Sequence, residues 1–102
     1  MDTVKIFIKD DCPKCPAAKK LYDDLVSKPA VLANIEKWNV GSSDGLAEAA
    51  MYMVLATPAV LVFDSDENKI AEWRGDVPMP SQIELTLKEH ALNGKVVHAP
   101  LP

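Results

Sequence analysis

Asp11-Cys12-Pro13-Lys14-Cys15-Pro16 decides how the chain is read. It holds both cysteines of the 102-residue protein, and it stands where an apolar alternating run stops and an amphipathic segment starts. Two thiols separated by two residues at a helix N-terminus can close a disulfide within one turn. The unpaired N–H groups of that turn favour a thiolate over a thiol. Thiol–disulfide exchange is therefore the chemistry to expect. Pro13 suits a first helical position, where its missing N–H would be unpaired anyway, and this places Cys12 at the N-cap. Pro16 would remove the hydrogen bond to the Cys12 carbonyl and disfavours helical geometry at Cys15, so an irregular first turn is expected.

Working outward, Thr3-Val4-Lys5-Ile6-Phe7-Ile8-Lys9 reads as a largely buried first strand. After the motif, Ala17, Ala18, Leu21, Leu25 and Val26 recur at helical spacing, with Lys19, Lys20, Asp23 and Asp24 mostly opposite, and the helix is expected to end near Ser27-Lys28-Pro29. Residues 35–40 alternate as a second strand with Trp38 and Val40 on one face. The turn cluster 41–45 offers N-caps for a second helix. In that helix Leu46, Ala49, Ala50 and Met53 form an apolar stripe, and Met51 and Met53 read as core filler.

Ala59-Val60-Leu61-Val62-Phe63 suits a central strand covered on both faces. A turn at 65–68 leads to an antiparallel strand, Lys69 to Trp73. A last helix, opened by Ser81 and closed by Asn93-Gly94, would bury Ile83, Leu85, Leu87, Ala91 and Leu92. The tail from 94 to 102 reads either as an extra strand or as loose chain. The order β-α-β-α-β-β-α, with a right-handed crossover in its first half, leads to an α/β fold: a four-stranded mixed sheet flanked by helices. The length fits one domain over residues 1–102, with its core at about 3–93.

A formal net charge of −4 gives no concentrated basic face, so nucleic acid is not an expected partner. The N-terminus lacks the pattern of a secretory signal and no apolar stretch reaches membrane-spanning length, so a cytoplasmic location and no membrane partner are expected. In that compartment a close cysteine pair is more often catalytic or metal-binding than a staple. Structural zinc takes a full set of protein ligands, and His90 and His98 are too distant in sequence to form a usual second pair. A metal or iron–sulfur carrier that pools the thiols of two copies remains open. Trp38 and Trp73 read as packing on the sheet, and Asp64-Ser65-Asp66-Glu67 as a solvated turn.

Cys12-Pro13-Lys14-Cys15 after a first strand, the element order, and Thr57-Pro58 before the third strand together resemble the thioredoxin-like superfamily over about residues 3–93. The proline-first motif and the early first strand are similar to small glutaredoxin-like thioredoxins. No Trp precedes Cys12, and the acid that typical thioredoxins bury behind the motif would fall near Ile6. The resemblance implies an exposed nucleophile at Cys12, a resolving thiol at Cys15, and a cis-proline at Pro58 facing the pair. It also implies substrate contacts from Pro13, Lys14, Thr57 and Pro58, with Thr57 presenting its backbone to a bound peptide.

The implied activity is reduction of protein disulfides through a Cys12–Cys15 dithiol, with no cofactor, in a monomer. The partners it implies are disulfide-containing proteins and, as electron donor, a thioredoxin-type reductase or glutathione. A glutathione-linked glutaredoxin is the near alternative, since Arg74-Gly75-Asp76 is similar to the Gly-Asp region by which glutaredoxins hold glutathione. The helix N-terminus and Lys9 and Lys14 should bring the Cys12 thiol below its free value of about 8.5, while Asp10 and Asp11 oppose this.

Overall fold

A computed structural model describes residues 1–28 and 31–96. The alternating N-terminal run forms β1 (Asp2–Ile8), followed by α1 (Cys15–Val26), β2 (Ala33–Asn39), α2 (Ser43–Met51), β3 (Ala59–Phe63), β4 (Lys69–Arg74) and α3 (Pro80–Val96). The sheet order is β2-β1-β3-β4, with β1 and β2 parallel and the other pairs antiparallel. This is the expected β-α-β-α-β-β-α architecture. β1 lies inside the sheet, so the connection that leaves its C-terminal end, carrying both cysteines, starts from the best-anchored strand.

The core divides by strand parity. Val4, Ile6 and Ile8 of β1 join Val60 and Val62 of β3 on one face, where Ala18, Leu21 and Leu25 of α1 and Ile83 of α3 cover them. Phe7, Leu61 and Phe63 point to the other face, where Ala49 of α2 and Val54 lie over them. All five residues of β3 are buried, as a strand covered on both faces requires.

Several local expectations are corrected. In α1 the buried stripe is Cys15, Ala18, Leu21 and Leu25, while Ala17 and Val26 face solvent. In α2 the inward residues are Gly45 and Ala49, whereas Leu46, Met51 and Met53 are 61%, 69% and 71% exposed, so the two methionines are not core filler. The cause is length and register. The helix stops at Met51, and the chain turns at Met53 with φ +55°, so the spacing that aligned Leu46 with Met53 is broken before it completes. Gly45 is required at its place, because a Cβ there would run into the Asn39 carbonyl, and Ser42 caps the helix by accepting the Gly45 N–H at 3.0 Å.

α3 starts at Pro80 and not after Ser81. Pro80 suits a first helical position, and the Gln82 side chain reaches back to accept the Met79 N–H at 2.7 Å. Ile83 is buried and Leu87 partly so, while Leu85 and Leu92 are exposed. The helix also passes through Asn93 and Gly94 to Val96, since one glycine costs a helix only about 1 kcal/mol. The remaining tail, with His98, lies outside the described residues.

Candidate active site

β1 delivers the chain to the site and α1 carries it away. Between them Cys12, Pro13 and Lys14 form a turn. The helix begins at Cys15 with Lys14 at the N-cap, not at Cys12 as the motif suggested. Pro16 explains the shift. Placed in the first turn of a helix that starts at Cys15, it lacks only an N–H that would have had no partner. The turn is closed by the Cys15 N–H donating to the Cys12 carbonyl at 3.3 Å.

Cys12 and Cys15 are joined as a disulfide, with Cα atoms 5.2 Å apart. The two sulfurs have different surroundings. Cys12 is half-buried at the surface, while Cys15 is 1% exposed within the cluster made by β1, β3, α1 and α3. The Lys9 N–H donates to Cys15 Sγ at 3.4 Å, the one hydrogen bond made to that sulfur among the described residues. Ile6, behind the motif, is fully buried in the same apolar cluster. Asp10 and Asp11 are both exposed, and the Asp10 carboxylate accepts from Asn39 Nδ2 at 3.5 Å. Pro13 and Lys14 are exposed beside Cys12.

Thr57 and Pro58 precede β3, and the peptide bond between them is cis. Pro58 is buried, and its carbonyl accepts the Gly75 N–H at 2.8 Å. Thr57 is half-buried, and no hydrogen bond engages its backbone N–H or C=O among the described residues. A cleft of about 290 Å³ runs from Lys9 to Thr57 over Val40, Leu46, Val54 and Leu55. Leu46 and Leu55 give it exposed apolar walls, with Leu55 91% accessible, and the exposed Met53 adjoins them in sequence. Leu46, read from the sequence as part of a core stripe, thus lines this cleft.

Two features escaped sequence reading. Lys5 lies on the α2 face of the sheet. Its ammonium bonds Glu36 Oε1 at 2.9 Å and Glu48 Oε2 at 2.7 Å, with the rings of Trp38, Tyr52 and Phe63 within 5.7, 5.3 and 6.0 Å. Burial alone would pull the Lys5 pKa down, but the two carboxylates outweigh it and hold it above its ordinary 10.5. For Glu36, burial would push the pKa up, but the Lys5 and Trp38 hydrogen bonds win and hold it below 4.5. The second is Arg74, whose guanidinium bonds the loop after α2. Only its place before Gly75 marked it in the sequence.

The expected turn at 64–68 is organised by Asp64. Its carboxyl accepts the backbone N–H groups of Asn68 and Asp66, both at 2.9 Å, and these hydrogen bonds hold its pKa below the ordinary 3.8. His90, on α3, stands 3.3 Å from the same carboxylate, against the β3–β4 turn and not in the site.

Residues 2–88 match the thioredoxin domain family, and the chain belongs to it. A protein of Archaeoglobus fulgidus described as "Probable Thioredoxin" is 32% identical over 65 residues, covering 63% of this chain and 68% of that protein. Among solved structures, a malaria-parasite thioredoxin-2 superposes with a TM-score of 0.74 at 17% identity, covering 88% of this chain and 84% of that one. Thioredoxin 1 of Thermosipho africanus superposes at 0.61 with 16% identity, covering 91% and 98%. The structural likenesses speak for the fold. The family together with the Cys12–Cys15 pair makes the chain a thiol–disulfide oxidoreductase in the general sense.

Proposed function

We propose that the chain reduces disulfides in protein substrates. The observation that carries this reading is the pairing of a half-exposed Cys12 with a buried Cys15, whose sulfur takes the N–H of Lys9, a residue that also lines the cleft reaching the unpaired Thr57 backbone. A Cys12 thiolate attacks one sulfur of the substrate disulfide, forming a mixed disulfide and releasing the other sulfur as a thiolate. Cys15, deprotonated to solvent, then attacks Cys12 Sγ. The substrate leaves with its S–S bond broken and both sulfurs reduced, and the two electrons it gained are those the two cysteines lost in forming the Cys12–Cys15 bond. A thioredoxin-type reductase or glutathione returns two electrons and two protons.

Leu46, Met53 and Leu55 suit an extended, apolar segment around the substrate cysteine, and Thr57 can pair with its backbone in the manner of strand addition. Thioredoxin-type exchange is preferred to glutathione-linked exchange because the Arg74 guanidinium is taken up by protein acceptors and the rim is apolar. The test is an insulin-reduction turbidity assay driven by dithiothreitol. Wild type accelerates precipitation and Cys12→Ser does not, and equal rates for the two would sink the proposal.

A further inference from the structure

Arg74 touches neither sulfur, yet its contacts bracket the loop that shares a cleft with Lys9, the residue whose N–H meets Cys15 Sγ. As the last residue of β4 it is the register partner of Ala59, the residue just after Pro58. The next residue, Gly75, donates its N–H to the Pro58 carbonyl at 2.8 Å. These contacts fix the exit of the loop. Its entrance is held by the same residue's side chain. Arg74 Nη1 donates to the Met53 carbonyl at 2.9 Å and Nη2 to the Tyr52 carbonyl at 3.2 Å.

Both carbonyls lie at the C-terminal end of α2, where acceptors are left over and the dipole favours a cation. Met53 has φ +55°, a region that residues with side chains seldom occupy, and Arg74 holds its carbonyl there. The fork is itself aimed, because Nε donates to Glu72 Oε2 at 2.9 Å, a carboxylate that also takes the Lys69 ammonium at 2.7 Å. Between the two anchors the N–H groups of Leu55, Ala56 and Thr57 make no hydrogen bond among the described residues.

We propose that Arg74 is a positioning residue for protein substrates. It holds the 53–57 loop so that the Thr57 backbone stands ready to pair with an incoming extended chain. The inference rests on the protein-disulfide reading above. Its physical content is preorganisation: a loop already held spares the substrate the cost of ordering it, so losing Arg74 weakens docking and leaves sulfur chemistry unchanged. Lysine would keep the charge but not the planar fork that spans two carbonyls and Glu72.

The experiment follows single-turnover oxidation of the prereduced chain by insulin at varied concentration, and by the small aromatic disulfide 5,5′-dithiobis(2-nitrobenzoate). Wild type is compared with Arg74→Ala, Arg74→Lys and Glu72→Gln. For Arg74→Ala the half-saturating insulin concentration rises about fivefold to tenfold, with the limiting rate and the small-disulfide rate within about twofold of wild type. Arg74→Lys recovers little of this, and Glu72→Gln gives a smaller rise. Amide NMR of the oxidised chain shows the Arg74→Ala shifts concentrated at residues 52–58. An unchanged insulin dependence, parallel losses on both disulfides, or unmoved loop amides overturns the inference. A wild type inert toward insulin sinks the function instead, and the amide shifts then decide whether Arg74 sets the loop.

Discussion

On one face of the sheet Val4, Ile6, Ile8, Val60 and Val62 meet Ala18, Leu21, Leu25 and Ile83 as an apolar layer. On the other, Lys5 stands among Trp38, Tyr52 and Phe63 with two carboxylates on its ammonium. The disulfide and the loop beside it draw on different faces. Cys15 is rooted in the apolar layer, where close packing leaves a sulfur one position. The segment after α2 belongs to the Lys5 face, where Val54 packs with Phe7, Ala49 and Leu61 and the Arg74 hydrogen bonds hold the Tyr52 and Met53 carbonyls. The difference separates a sulfur held by packing from a loop held by hydrogen bonds.

The comparison can be broken most sharply by truncating the apolar layer. Leu25→Ala, at a residue 1% exposed, should cost about 2–5 kcal/mol in urea unfolding through lost burial and the cavity left behind. Lys5→Met should cost less, about 1–3 kcal/mol, because Glu36, 36% exposed at its side chain, rehydrates once unpaired, while Glu48, 16% exposed, does so only in part. Combining it with Glu36→Gln and Glu48→Gln should recover part of that loss. If Lys5→Met proves as costly as Leu25→Ala, the charged face is no softer than the apolar one.

Acid separates the faces further. The folded Glu36 carboxyl has its pKa below 4.5, so the unfolded chain takes up the proton first as pH falls. Its contribution is complete above that ordinary value and is lost as pH drops through the lowered one. Lys5 behaves oppositely: with its pKa raised, its contribution is complete below 10.5 and fades as pH climbs through the folded value. Urea midpoints measured from pH 6 down to pH 2 should fall less steeply for Glu36→Gln than for wild type. The smallest stability effect belongs to the rim. Leu55→Ser should shift stability by no more than about 0.5 kcal/mol, since Leu55 is 91% exposed, and should slow insulin reduction about threefold with the small-disulfide rate unchanged.

Much of the fold was legible because its signals are local. The continuous apolar run at 59–63, the turn at 64–68 and the 3.6-residue spacing after Cys15 each specify their own element. The cysteine pair was legible for the same reason, as was its place between β1 and α1. What was lost depended on partners far along the chain. Lys5 carries no local mark of its ion pairs, which exist only once Glu36 and Glu48 are brought to it. Arg74 reads as loop until β4 carries it to Tyr52 and Met53. The α2 stripe failed differently. Periodicity says which residues would align if the helix continued, and it carries no signal that the helix stops before Met53.

The tryptophans turn this division into a measurement. Trp38 pairs in register with Phe7, and its indole N–H donates to Glu36 Oε1 at 2.9 Å beside the Lys5 ammonium. Trp73 pairs with Val60 and packs against the apolar layer. The chain therefore carries one tryptophan on each face, one beside a charged cluster and one in an apolar setting. With Trp38→Phe or Trp73→Phe as the silent background, emission reports one face at a time, so the order in which the faces loosen becomes visible without any added label.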